Sequence, residues 1–164
     1  ILSILSVSLI HGLTTLELES RMAKDRMGAA MRAADLREEI LSRPSVDPDG
    51  QVRFGREPGE SAAARTSFDD QDDYHGLIDR PPTDIAGTPL SGVNRIWRAV
   101  RVESVSPENP TGAAQDTNAL GLRRFTVTVY RDRISASGTP VAAVSDRSRA
   151  ELARLTWLGL GQMK

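Results

Sequence analysis

The first 43 residues of this chain contain neither a proline nor a cluster of turn-forming residues; the first break comes at Arg43-Pro44. A stretch of that length reads as one continuous helix from residue 1 to about residue 42. It stops there because the residue before a proline is pushed out of the α region and the proline ring cannot continue the hydrogen-bond ladder. The two halves of this helix differ. Residues 1–13, ILSILSVSLIHGL, are apolar apart from three serines, His11 and Gly12. At about 1.5 Å per residue they reach roughly 20 Å, short of the roughly 30 Å of a bilayer core. Because the chain begins with isoleucine, this segment reads as the last half of a membrane-spanning helix, as a shortened anchor that another protein buries, or as an ordinary core helix.

The second half is amphipathic. Leu18, Met22, Ala29, Ala33, Leu36 and Ile40 recur at steps near three, four and seven, and Ala23, Met27, Ala30, Ala34 and Leu41 make a neighbouring stripe. Together they predict one broad apolar face. Arg21, Lys24, Asp25, Arg32, Asp35, Arg37 and Glu38 occupy most of the remainder. Gly28-Ala29-Ala30 would let a sheet or another helix approach the backbone, and Gly28 alternatively marks a bend.

Residues 44–94 carry the turn cues Asp47-Pro48-Asp49-Gly50, Glu57-Pro58-Gly59, Pro81-Pro82 and Thr88-Pro89 with few aliphatics between them. They predict a long irregular loop, pinned by Val52, Phe54, Phe68, Tyr74 and Leu77. Residues 95–148 are then expected to form an antiparallel sheet. Strands are predicted at residues 95–104 (RIWRAVRVES), 124–131 (RFTVTVYR) and 140–145 (PVAAVS), the last two joined through a turn at Ser137-Gly138. Phe125, Val127 and Val129 should face the helix, because a three-stranded sheet needs a covered apolar face. The tail, residues 149–164, places Leu152, Leu155 and Leu158 at helical steps and predicts a short closing helix packed on its own sheet or on a neighbouring subunit.

Composition narrows the chemistry. Over 164 residues, 21 basic side chains face 22 acidic ones, a net charge of −1, so no long-range field gathers nucleic acid or anionic lipid. The arginines at 95, 98, 101, 123, 124, 131 and 133 fall on or beside the central strands. They read as solvent-facing sheet positions rather than a DNA stripe. With no cysteine there is neither a disulfide framework nor a thiolate metal site. His11 and His75 are far apart and lack neighbouring ligands for a zinc centre or a triad. The chain is expected not to be an enzyme.

One run has a second reading. Asp69, Asp70, Asp72 and Asp73, in FDDQDDYHG, offer oxygens to calcium, though without the alternating spacing of an EF-hand. The competing reading is an acidic loop that caps a helix or pairs with arginines such as Arg65 and Arg80. Asp47 and Asp49 read first as a turn.

The apolar run ILSILSVSL, the helix end DLREEILSRP, the DPDG turn, FDDQDDYHGL and the strand pair IWRAVRVESV and RRFTVTVYRD together resemble type IV pilin-like proteins. Within that group the chain is most similar to minor prepilins of the mannose-sensitive haemagglutinin type and to general-secretion pseudopilins. The likeness extends from residue 1 to about residue 145. It implies an α+β fold, a long N-terminal helix on a small antiparallel sheet, and a structural role in a helical filament. The helix would wait in the inner membrane and then pack with copies of itself and with other pilins or pseudopilins, outside the cell or in the periplasm. Ile1, Leu2, Ile4, Leu5, Val7, Leu9, Ile10 and Leu13 would form the assembly interface. The chain lacks the C-terminal cysteine pair with which many major pilins close a receptor-binding loop.

Overall fold

The computed structural model describes residues 2–50, 53–93, 95–114, 121–132 and 149–160. The opening helix, α1 (Leu2–Leu41), is unbroken over 40 residues. It closes one residue before the expected end. The Ser42 N–H donates to the Glu38 carbonyl at 3.0 Å and the Ser42 hydroxyl to that of Glu39 at 2.6 Å, after which Pro44 carries the chain away. Gly28 neither breaks the helix nor admits the sheet: a β-carbon there would meet only the Arg32 side chain, at 3.2 Å.

Four strands form one antiparallel sheet in chain order. They are β1 (Ile78–Asp79), β2 (Ile96–Ser104), β3 (Leu122–Asp132) and β4 (Arg149–Leu160). The molecule is therefore α+β. Strands β2 and β3 lie where their alternation places them. In their register Val100 faces Val127 and Val102 faces Phe125. These four side chains and Val129 point to α1 and meet Ala29, Ala33, Leu36 and Ile40 in one core, closed at its end by Phe68, Tyr74 and Leu77 from the loop.

The tail corrects the expected helix: it is β4, paired with β3 along nearly all its length. Leu152, Leu155 and Leu158 happen to match helical steps, but the alternation of Ala153, Leu155 and Trp157 with Arg154, Thr156 and Leu158 is what the fold uses. Trp157 stacks on Phe125 with ring centroids 5.2 Å apart. Gly159 lets the backbone pass that ring, since a β-carbon there would sit 2.8 Å from Phe125 Cε2. The tail thus packs on its own sheet. The predicted strand at residues 140–145 and the Ser137-Gly138 turn lie outside the described residues, as does Val52.

The broad apolar helix face is corrected as well. Among residues 11–41 only the lower part of one stripe, Ala29, Ala33, Leu36 and Ile40, is buried; Leu18 and Met22 above it, and Ala23, Met27, Ala30, Ala34 and Leu41 of the neighbouring stripe, are exposed. A four-stranded sheet covers about one side of a helix, so the second stripe has no sheet left to meet.

The loop holds two single 3-10 turns, Arg65–Ser67 and Asp72–Tyr74, besides β1. It also covers the edge of β2: the Gly76 N–H donates to the Val100 carbonyl at 3.1 Å, and the Val100 N–H to the Leu77 carbonyl at 3.0 Å. This satisfies backbone groups that would otherwise offer a pairing edge.

Candidate functional site

Two features of the molecule bear on function: the uncovered part of α1 and an acidic pocket in the loop. From His11 to Lys24 every helix side chain is exposed, and the sheet begins to cover the helix at Asp25, which pairs with Arg131 of β3. Leu13, Leu16 and Leu18 are about 60 % exposed (59, 63 and 60 %), Leu13 and Leu16 on one side of the helix and Leu18 on nearly the opposite side. Of the expected assembly residues, Leu13 lies in this exposed stretch. Leu2, Ile4, Leu5, Val7, Leu9 and Ile10 lie on the helical turns that precede it, while Ile1 lies outside the described residues. Among the described residues no helix is long and apolar enough to cross a membrane.

The acidic run of the loop divides between two jobs. Asp70 and Asp73 embrace the turn that holds Tyr74 in the core. Asp70 Oδ1 accepts the N–H groups of Asp72 (2.7 Å) and Asp73 (3.3 Å), and Asp73 Oδ2 accepts those of Asp69 (2.9 Å) and Asp70 (3.1 Å). This is the reciprocal logic of a capping box on a single 3-10 turn. Asp72 takes the Arg123 guanidinium at 2.7 Å and the Gly55 N–H at 3.0 Å. The anticipated partners Arg65 and Arg80 go elsewhere. Arg65 bonds Glu39 at 2.6 and 3.0 Å, and Arg80 bonds Asp132 at 2.6 Å.

Those contacts belong to a buried charge network that ties loop, helix and sheet together. Arg98 bonds Asp79, its cross-strand neighbour, and the Thr83 carbonyl. Arg65 also donates to Thr83, and Tyr74 donates to Glu39 at 2.9 Å. Arg98 and Arg123 are 2 % and 4 % exposed, so neither is the solvent-facing arginine their setting implied. Each sits on an inward strand position because a loop carboxylate is there to meet it. Arg133 lies outside the described residues.

The second job falls to Asp69 and Asp73, together with Glu57, which the sequence marked only as part of a turn, and Glu60, which it did not single out. At Glu57-Pro58-Gly59-Glu60 the chain reverses, with the Glu60 N–H donating to the Glu57 carbonyl at 3.2 Å and Gly59 at φ 111°. Proline second and a positive-φ glycine third suit such a reversal, and it brings both glutamates to the same pocket. One carboxylate oxygen from each of Glu57, Glu60, Asp69 and Asp73 lies within 4.8 Å of the others. A Glu-x-x-Glu spacing across a Pro-Gly turn was the available signal.

Crowding four carboxylates disfavours their charged forms. Burial, then the Glu60 carboxylate beside it, pushes Glu57 up to about 8. Burial lifts Asp73 to about 6, with Glu60 adding to the rise and the N–H groups of Asp70 and Asp69 opposing it. Asp69 is raised by burial and by the charge of Asp47. Asp70 and Asp72, read with them as possible calcium ligands, stand outside the quartet. Burial and the neighbouring Asp72 push Asp70 up to about 8.

On the outer face of the sheet, Arg101, Glu103, Arg124, Thr126, Tyr130 and Arg154 line a shallow concavity of about 440 Å³. Its arginines are engaged: Arg101 and Arg124 with Glu103, and Arg154 with Glu151. No protein-family model, curated protein or solved structure matches the chain.

Proposed function

We propose that this chain is a structural subunit of a type IV pilus-like filament, polymerising through the apolar front of α1. The observation that carries the reading is the exposure of Leu13, Leu16 and Leu18, spread around a helix that outruns its own sheet. Large apolar side chains gain about 1.5–3 kcal/mol each on burial, and this molecule's core is already closed around Ala29 to Ile40. A helix of this kind leaves water either in lipid or among sibling helices. Both surroundings are apolar, so passage from membrane to polymer is close to an exchange. A sheet domain carried at the far end then forms the filament's outer layer. The same physics serves a long surface fibre and a short periplasmic pseudopilus, with other pilins or pseudopilins as neighbours.

The absence of cysteine gives a clean test. Single Leu13→Cys and Leu18→Cys variants, oxidised in the native cell envelope, should each give disulfide-linked dimers within filaments visible by electron microscopy. Native material consisting only of isolated particles, with no cross-link at either position, would overturn the reading.

A further inference from the structure

We infer that Glu57, Glu60, Asp69 and Asp73 bind one calcium ion, which ties the turn at residues 57–60 to the turn at residues 69–73. Three observations combine. The first is spacing. Calcium holds oxygens at about 2.3–2.6 Å, so two ligands on opposite sides of one ion stand about 4.8 Å apart, and the four oxygens span no more than 4.8 Å.

The second is an orphaned atom. Asp73 is 1 % exposed; its Oδ2 is engaged by two backbone N–H groups, while its Oδ1 is buried with no hydrogen-bond partner. The Asp69 Oδ1 is likewise buried and unpartnered. A buried carboxylate oxygen without a donor or cation is costly.

The third is the contrast within the same loop. Asp72 and Asp79, equally buried, each hold a guanidinium, from Arg123 and Arg98. Among the described residues no arginine or lysine ion-pairs with any of the quartet. Arg43, whose charge reaches Asp69, spends its Nη2 on the Arg65 carbonyl at 3.0 Å.

The donor chemistry selects the ion. All four ligands are carboxylates, which suit a hard cation and not zinc or copper. Magnesium, at about 2.0–2.1 Å, demands near-ideal octahedral geometry and keeps its waters, whereas calcium accepts carboxylates in flexible arrangements. Of the acids first read as calcium ligands, only Asp69 and Asp73 belong. Asp72 is neutralised by Arg123, and Asp70 is spent on the backbone of the 3-10 turn.

The test is calorimetric titration of the full chain in detergent with calcium chloride, and separately with magnesium chloride. We expect one calcium per chain, with a Kd of roughly 10⁻⁵–10⁻³ M and at least about tenfold weaker magnesium binding. Glu57→Gln and Asp69→Asn remove charge without disturbing the backbone bonds held by Asp73 and Glu60. Each should weaken calcium by about tenfold or more with the far-UV circular dichroism unchanged, while Asp49→Asn, in the neighbouring turn, should leave it as it is. Calcium should also raise the Tm of the unmodified chain, a measurement that needs no variant to fold. The absence of calcium heat and of a Tm shift up to about 10 mM would overturn the assignment. So would variants that bind as tightly as the parent.

Discussion

At the scale of single residues, the loop is held by charges in places where charges are expensive. Arg98 and Asp79 are 2 % and 3 % exposed at their side chains, and Arg65, fully buried, reaches both Asp79 and Glu39. Removing one partner of such a pair strands the other, a loss of about 3–5 kcal/mol. Asp79→Asn should therefore unfold the chain at markedly lower denaturant concentration, whereas Arg21→Ala, which breaks an exposed pair with Glu17, should cost less than about 1 kcal/mol; urea titrations compare the two. A pH dependence follows from the acidic turns. Glu57, Asp70 and Asp73 bind their protons more tightly folded than unfolded, at about 8, 8 and 6 against ordinary values of 4.5 and 3.8. Their contribution is full below about pH 4 and lost as pH rises through 6 to 8. Facing them are the carboxylates of Asp47, Glu60 and Asp72, while Arg43 acts on the neighbouring Asp69. Without divalent cations, Tm should fall as pH is raised from 5 to 8. A flat or rising profile would contradict protonation of these groups.

At the scale of elements, α1 and β4 carry the instructive outcomes. The helix was legible because its only strong breaker is Pro44 and its stripe repeats every three or four residues. Which of its two apolar stripes is buried was not legible, since Ala33 and Ala34 look alike until a sheet arrives on one side. The tail is ambiguous locally, because its three leucines fall at helical steps while Ala153, Leu155 and Trp157 alternate with Arg154, Thr156 and Leu158. Pairing with β3 decided between them, supplying a backbone partner to nearly every residue from Arg149 to Leu160. The close pass of Gly159 over Phe125 makes this pairing sensitive to one methyl group or more. Gly159→Val should destabilise the fold by about 1–3 kcal/mol through overpacking. Trp157→Ala should cost about 3–5 kcal/mol by leaving Phe125 unstacked over a cavity. Thermal unfolding measures both; a neutral Gly159→Val would mean that β4 does not lie against Phe125.

At the scale of the whole molecule, one helix has a stretch covered by the sheet and, from His11 to Lys24, a stretch that is not, so under the proposed reading stability and assembly draw on different residues. Substitutions at Ala33 or Leu36 act on the core, while those at Leu16 or Leu18 act on a surface that the folded chain leaves in water. Leu16→Asp should shift stability by no more than about 0.5 kcal/mol and yet remove the chain from sedimentable polymer. A fall in Tm comparable to that of Leu36→Ala would place Leu16 in the core instead. What the linear chain determined by itself was local: one helix ended by a proline, two alternating strands, and a turn-rich loop too poor in aliphatics to build its own core. These follow from backbone sterics and from periods of 3.6 and 2, which neighbours in sequence are enough to specify. Tertiary structure alone decided that Arg98 and Arg123 turn inward, that the tail is a strand, and that Glu57 and Glu60 meet Asp69 and Asp73. Each of those outcomes depends on a partner far along the chain, whose carboxylate, backbone or ring makes an otherwise unfavourable placement stable.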